Sequence, residues 1–317
     1  MIVTLTLNPS LDRTVGVDAL ERGAVIRTSE PVLEPGGKGV NVARALTANG
    51  VPALAVLAIA GPEGAELSRL LERDGILCRF VPVAGRTRSN LTVSEPDGTV
   101  TKLNEPGNPL GDMDLAAIAT AVRTSVRDGD WLVVSGSMPP EFTADQVTAL
   151  LVGATATGAQ LVVDTSGEAL SMALVAKPRV IKPNREELAE LVGRELGSVA
   201  DVQVAAEQVR GRGAEYVLVS LGAEGAVLVG PNGMLVGESK VDRIRSTVGA
   251  GDSFLAGFLS RFTVDEGDLE AALLEALTWG AAATRLPGSA VPTPSDLDPT
   301  IVQLVWQPDL DRPLVAS

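Results

Sequence analysis

Residues 131–136 read WLVVSG, a run apolar at four successive positions before it ends on Ser and Gly. A strand with one face in water alternates apolar and polar residues, whereas an unbroken apolar run has to be covered on both faces. The same signature recurs as IVTLTLN at 2–8, LAVLAIAG at 54–61, LVVD at 161–164, VIKPN at 180–184 and YVLVSLG at 216–222. Amphipathic segments of helix length separate these runs and supply the covers. The pattern predicts an α/β chain with a mainly parallel central sheet flanked by helices.

Two stretches depart from that alternation. Residues 14–34 and 79–104 hold β-branched segments with few helix-length apolar faces, and Glu95-Pro-Asp-Gly98 separates two of them with turn-forming residues, which predicts a hairpin. We expect these two insertions to form a small β lid. Such a lid could close over a ligand, or serve as a peripheral sheet or dimer surface. The main domain would then comprise 1–13, 35–78 and 105–317. Four prolines between Pro287 and Pro299 predict loop. The residues from Trp306 onward read as a poorly tied terminus.

The chain of 317 residues carries 26 Lys and Arg against 40 Asp and Glu, a formal net charge of −14, which argues against a nucleic-acid scaffold. It contains no histidine. Triads, general bases and metal sites that need imidazole are therefore excluded, and proton transfer falls to a carboxylate, Lys, Tyr, the single Cys or water. That cysteine, Cys78, has no intramolecular disulfide partner, and its apolar flanks place it as an inert thiol on a strand. No basic segment with an apolar signal core opens the sequence, and no run of about 18 apolar residues could span a bilayer. A soluble, cytoplasmic protein without a membrane partner is expected.

Three segments carry candidate chemistry. In STVGAGDS at 246–253, followed by FLAGFLSRF, the apolar spacing starts a helix at about Gly251-Asp252. Glycines before a helix N-terminus let free N–H groups converge on an anion, and the helix dipole adds to the attraction. Asp252 could simply cap the helix, but capping needs no glycine pair, and a carboxylate beside a bound phosphate is placed to take a proton from an attacking hydroxyl. The P-loop pattern is absent, and Phe254 stands where a dinucleotide fingerprint needs its third glycine.

The second segment is EPGGKGVNVARAL at 34–46. Gly36, Gly37 and Gly39 surround Lys38 in a flexible turn, a helix follows as far as Gly50, and Asn41 and Arg44 share one of its sides. The paired glycines would allow a polyhydroxylated ligand to approach the backbone, and Lys38 offers a point charge for a phosphate. In the third, IKPNREEL at 181–188, Asn184 and Glu187 stand at capping-box spacing. Alternatively Lys182, Asn184 and Glu187 face the carboxyl end of the sheet, where α/β folds bind ligands, and the oxygen ligands Asn184 and Glu187 would order hydrated Mg²⁺ and nucleotide phosphates. Two further pieces are less specific. SLGAEG at 220–225 reads as a hairpin turn whose backbone could line a nucleotide, and Asp12 is either a turn former or a holder of sugar hydroxyls.

In order along the chain, TLNPSLDRT, PGGKGVNVARAL, GRTRSNLTV, KLNEPG, VSGSMPP, VDTSGEAL, KPNREEL, VSLGAEGA and TVGAGDSFLAGF resemble the blocks of the PfkB carbohydrate kinases, from Thr4 to about Asp296. The resemblance implies a ribokinase-like fold and ATP-dependent phosphorylation of a ketose phosphate. Asp252 would be the base, and the backbone of Gly249, Ala250 and Gly251 the anion hole. Asp12, Gly36, Gly37 and Asn41 would hold the ketose, and Lys38 and Arg88, with Asn104 nearby, the phosphate it already carries. Lys182, Asn184 and Glu187 would organise Mg²⁺ and ATP, with Ser220, Gly222, Gly225 and Thr247 along the nucleotide. A monovalent cation and a homodimer through the lid also fit the family. A 6-phosphofructokinase of the family would be expected to show a run of glycines where this chain has Lys38, so GGKG together with TKLNEPG favours fructose 1-phosphate as acceptor, with tagatose 6-phosphate second and fructose 6-phosphate a further alternative. A catalytically silent sugar-phosphate-binding protein is the reading from a different class. Intact Asp252, Lys182, Asn184 and Glu187 count against it.

Overall fold

The computed structural model describes residues 1–314. The chain opens β1 (Ile2–Thr6), β2 (Ser10–Gly16), β3 (Val32–Gly36), α1 (Lys38–Ala48), β4 (Ala53–Ile59), α2 (Gly61–Arg73) and β5 (Cys78–Pro82). It continues through β6 (Arg88–Ser94), β7 (Val100–Asn104), α3 (Asp112–Ser125), β8 (Trp131–Ser135), α4 (Ala144–Thr155), β9 (Gln160–Asp164) and α5 (Gly167–Ala173). Then come β10 (Val180–Ile181), α6 (Arg185–Val192), α7 (Val199–Gly211), β11 (Tyr216–Ser220), β12 (Ala226–Gly230) and β13 (Gly233–Ser239). Helices α8 (Ala250–Phe262) and α9 (Leu269–Thr284) and strand β14 (Val302–Leu304) complete it.

Ten strands form one sheet in the order β14-β13-β12-β11-β10-β9-β8-β1-β4-β5. From β5 to β11 every neighbouring pair is parallel, and β12, β13 and β14 extend that edge antiparallel. The apolar runs are buried on both faces, as their composition requires. In β8, Trp131 and Val133 pack into the core beneath α1, α2, α8 and α9, while Leu132 and Val134 pack into the core beneath α3 to α7. The few aromatic residues concentrate in the first of these. Phe262 stacks on Phe258 at 4.8 Å and meets Tyr216 and Trp131 edge-on at 5.1 and 5.4 Å. That fully buried ring contributes about 1.5–3 kcal/mol through burial alone, and it pins α8, whose first turn belongs to the site.

The second sheet has the order β3-β2-β6-β7. The expected hairpin is present: β6 and β7 pair antiparallel, and Glu95 N–H donates to the Thr99 carbonyl at 3.0 Å across the turn. Its limits differ from those read in the sequence. Residues 78–82 form the edge strand β5 of the large sheet, paired parallel with β4, because Phe80 and Val81 pack against that sheet's two cores. The small sheet instead draws in residues 10–13 and 35–36, with Ser10 opposite Gly36 and Asp12 opposite Glu34.

The terminus is also better tied than its composition suggests. Leu314 is buried and its N–H donates to Gly197 at 2.8 Å, Ala200 N–H donates to Leu310 at 2.9 Å, and Arg312 pairs with Glu224 and Glu238. Cys78 lies half-buried, and desolvation pushes its thiol up to about 12, which leaves it inert at neutral pH. No helix among the described residues is long and apolar enough to cross a membrane.

Candidate active site

The carboxyl ends of the parallel strands meet the first turns of α1, α6 and α8, the position at which open α/β sheets bind ligands. Helix α1 starts on Gly37, whose φ of 118° is a conformation glycine adopts freely and whose α-carbon lies against Thr6 and Pro9. This fit seats α1 on β1 and puts Lys38 in the first turn. Gly249, with φ of 73°, ends the preceding turn in the same way and caps α8. The Ser253 N–H closes onto Gly249 O at 2.9 Å and Ala250 N–H reaches Thr247 O at 3.4 Å. The N–H groups of Gly251 and Asp252, in that first turn, find no backbone acceptor outside the helix among the described residues. They are the free amides an anion would meet.

Asp252 is only 7 % exposed, and the Asn41 Nδ2 group donates to its Oδ2 at 2.8 Å. Burial pushes its carboxyl up to about 6, with repulsion from Asp164 adding to the rise; the Asn41 hydrogen bond and the charges of Lys38 and Lys182 restrain it. A carboxylate with that affinity for protons is matched to accept one near neutral pH.

Asp164, the last residue of β9, was not among the residues singled out from the sequence. It is fully buried, and Lys38 Nζ and Lys182 Nζ lie 3.0 and 3.3 Å from its Oδ1, while Ser135 Oγ donates to Oδ2 at 3.3 Å. Burial alone would raise its pKa, yet the attraction of Lys182 and Lys38 wins and holds it below the usual carboxylate range. A signal was present: LVVD at 161–164 closes an otherwise apolar buried strand on a carboxylate at its carboxyl end.

Lys38 was expected beside Arg88 on the acceptor's phosphate, but it reaches toward the other half of the site. Besides Asp164 its Nζ lies 3.7 Å from Glu187 Oε1, and attraction to Asp164 first, then Glu187 and Asp252, holds its pKa well above the usual lysine value. The buried carboxylate needs a countercharge, and Lys38, on the facing helix, is within reach. Arg88 has Asp12 and Glu105 as its charged neighbours. Its guanidinium donates to Asn8 O and Glu105 O, both at 3.1 Å.

On β2, Asp12 Oδ1 accepts from Ser10 Oγ at 2.7 Å and Asn90 Nδ2 at 2.9 Å, leaving Oδ2 against the Cα of Gly36. Asp12, Asn90 and Asn104 are register partners across β2, β6 and β7 and so share one face of the small sheet. Asn104 itself is exposed. Ser10 and Asn90 were missed as support for Asp12: Asn90 arrives only through the pairing of β6 with β2, whereas Ser10, two positions away on the same face of β2, was within reach of the strand period.

The capping box at α6 is present. Asn184 Oδ1 accepts from Glu187 N–H at 2.7 Å, and Glu187 Oε2 accepts from Asn184 N–H at 2.9 Å. Glu187 still presents Oε1 to Lys38, so capping and a role in the site coexist. Ser220 is bridged to Asn184, Gly222 and Gly225 form the turn between β11 and β12, and Gly225 packs its α-carbon against the Gly237 carbonyl. Thr247 is exposed just before the α8 cap.

The buried Asp252 beside the free amides of α8, with Lys38 and Lys182 held on Asp164, has the parts that transfer of a phosphoryl group to a hydroxyl requires. The model of the pfkB family carbohydrate kinases matches residues 5–296, and the chain belongs to that family. It is 38% identical to the 1-phosphofructokinase of Haloferax volcanii, covering 90% of this chain and 93% of that protein. It is 36% identical to the ATP-dependent 6-phosphofructokinase isozyme 2 of Escherichia coli, covering 91% and 94%. The crystal structure of phosphofructokinase-2 from Escherichia coli in complex with potassium superposes with a TM-score of 0.89 at 34% identity, covering 93% of this chain and 96% of that one. The ribokinase-like fold and the ATP-dependent sugar phosphate kinase expected from the sequence motifs are therefore those of this protein's family.

Proposed function

We propose that the protein transfers the γ-phosphoryl group of ATP to the free primary hydroxyl of fructose 1-phosphate, giving fructose 1,6-bisphosphate and ADP. The observation that carries phosphoryl transfer is Asp252, a buried carboxylate pushed up to about 6 beside the free amides of α8, and the choice of fructose 1-phosphate is supported by the 1-phosphofructokinases to which the chain is similar. Asp252 takes the hydroxyl proton as the new O–P bond forms and the bond to the ADP oxygen breaks. Gly251 and Asp252 N–H, with the Gly249-Ala250 turn, stabilise the charge on the transferring group. Lys182 and Lys38, both tied to Asp164, add positive charge on the same side.

Asp12, Asn41 and the Gly36-Gly37 backbone hold the ketose, and the planar fork of Arg88 takes its phosphate, with Asn104 near it. The contacts of Lys38 with Asp164 and Glu187 support a role on the phosphoryl in transit in preference to the acceptor's own phosphate. Ser220, Gly222, Gly225 and Thr247 lie along the nucleotide. Glu187, with an oxygen left over from its cap, and Asn184 fit a hydrated Mg²⁺, which when bound offsets charge on the ATP phosphates. A monovalent cation is included because the potassium-bound relative shares the fold.

The small sheet acts as a lid over the sugar, supported by the contact of Asp12 with Gly36 at its root. Its exposed Val32, Val100 and Leu103 support a homodimer formed through it. A coupled ADP-release assay with MgATP tests the substrate reading. Fructose 1-phosphate should give the highest kcat/KM, above tagatose 6-phosphate, fructose 6-phosphate and fructose. Preference for a 6-phosphate would move the assignment to that acceptor, and turnover of none would favour a silent binding protein.

A further inference from the structure

Asn41 touches Asp252 through one end of its amide, and the other end is held by a residue with no part in the proposed chemistry. Arg44, one turn along α1, places Nη1 3.4 Å from Asn41 Oδ1. The same nitrogen lies 3.4 Å from Pro35 O, just before the Gly36-Gly37 turn, and 3.3 Å from Ser289 O in the proline-rich loop. A guanidinium only donates hydrogen bonds. Asn41 must therefore present its oxygen to Arg44, which leaves its NH₂ group for Asp252. With the amide reversed, an oxygen would face the carboxylate and two donors would face each other.

We propose that Arg44 is a positioning residue for the catalytic carboxylate: by fixing the orientation of the Asn41 amide, it keeps a donor on Asp252 and holds that carboxylate in its reactive state. The proposal rests on Asp252 being the base. The charged groups that weigh most on Asp252 are Asp164 from β9, Lys38 from α1 and Lys182 from the end of β10. Those that weigh on Arg44 are Glu34, Asp74, Asp12 and Arg73. Arg44 and Asp252 hydrogen-bond opposite ends of the Asn41 amide, and that shared amide is the connection between them.

A double-mutant cycle separates this relay from a strut that merely holds Pro35 and Ser289. The full-length Arg44→Met, Arg44→Lys, Asn41→Ala and Asn41→Ala/Arg44→Met proteins are assayed for kcat and KM with MgATP and fructose 1-phosphate from pH 5.5 to 9. Arg44→Met should lower kcat about tenfold or more at pH 6 and less at pH 9, moving the acid limb to higher pH, with KM changed by less than about threefold. Arg44→Lys should recover part of that loss, and it carries the test if Arg44→Met does not fold. In the Asn41→Ala background, loss of Arg44 should cost less than about twofold in kcat. Additive losses, an unmoved acid limb, or a rise in KM as large as the fall in kcat would overturn the relay. Asp252→Asn, assayed in parallel, distinguishes the two levels. Turnover retained in that variant removes the base and the relay together, whereas its loss alongside additive Arg44 and Asn41 effects removes the relay alone.

Discussion

Lys38 Nζ lies 3.0 Å from Asp164 Oδ1, although 126 positions separate the two residues in the chain. The pair joins the first turn of α1, just after Gly36 and Gly37, to the carboxyl end of β9, and Lys182 shares the same carboxylate oxygen at 3.3 Å. One buried negative charge thus sets the places of two positive ones. The reacting phosphoryl group would meet a fixed pair of cations in place of two flexible side chains.

Asp164→Asn should lower kcat by about 10²-fold or more, because both lysines lose the charge that places them. It should also destabilise the fold by about 3–5 kcal/mol, since breaking a buried ion pair leaves uncompensated charge. The loss should be measurable at neutral pH by urea unfolding and shrink in acid, as protonation removes the charge from the native Asp164. An Asp164→Asn protein with wild-type kcat would rule out this organising role.

Asp252→Asn should abolish turnover while leaving sugar phosphate affinity within about threefold. It should also stabilise the protein. A carboxyl whose pKa is raised to about 6 on folding binds more protons than its unfolded counterpart between about pH 4 and 6, so its ionised form costs stability above that window. The gain from Asn should be on the order of 1–3 kcal/mol at pH 8 and fade toward pH 4. Thermal melts across that range check it, and a variant less stable at pH 8 than at pH 4, relative to wild type, would contradict the assigned shift.

Lys38→Ala and Arg88→Ala should separate kinetically. Arg88 faces the acceptor's phosphate in the proposed pose, so its loss should raise KM for fructose 1-phosphate about tenfold or more with a smaller change in kcat. Lys38, tied to Asp164, should act mainly on kcat. Steady-state kinetics with both substrates varied decides this, and a pure KM effect from Lys38→Ala would return that lysine to the acceptor's phosphate.

Gly36→Ala should weaken acceptor binding without unfolding the protein. A β-carbon there would collide with the Asp12 carboxylate and Ser10 hydroxyl, displacing the side chain proposed to hold the ketose. A rise of about tenfold in KM for the sugar, with KM for ATP nearly unchanged, is the expected result. Equal rises for both substrates would point to general distortion.

The strands were legible because a run such as WLVVSG leaves no ambiguity about burial on both faces, and the hairpin at Glu95–Gly98 because Pro, Asp and Gly each restrict the turn. The Asn184–Glu187 capping box and the α8 N-terminus at Gly249–Asp252 are equally local. The edge of the small sheet was not legible. Neither CRFVP at 78–82 nor SLDR at 10–13 carries a local mark of the sheet it joins, and strand pairing assigned the first to the large sheet and the second to the small one. The fate of the last residues was hidden for the same reason, since Leu314 is ordered by Gly197, far from it in the chain.

By itself the sequence determined the α/β class, the family through its ordered motifs, and the identity of Asp252, Lys182, Asn184 and Glu187 as candidates. Those properties follow from hydrophobic period, backbone freedom and side-chain chemistry, which are carried by neighbours along the chain. Only the tertiary structure decided that Asp164 is the shared partner of Lys38 and Lys182, that Asn90 supports Asp12, and that Asn41 of α1 donates to Asp252 of α8. Each is a Coulombic or hydrogen-bonding relation, and such forces depend on separation in space, which the packing of helices onto the sheet sets.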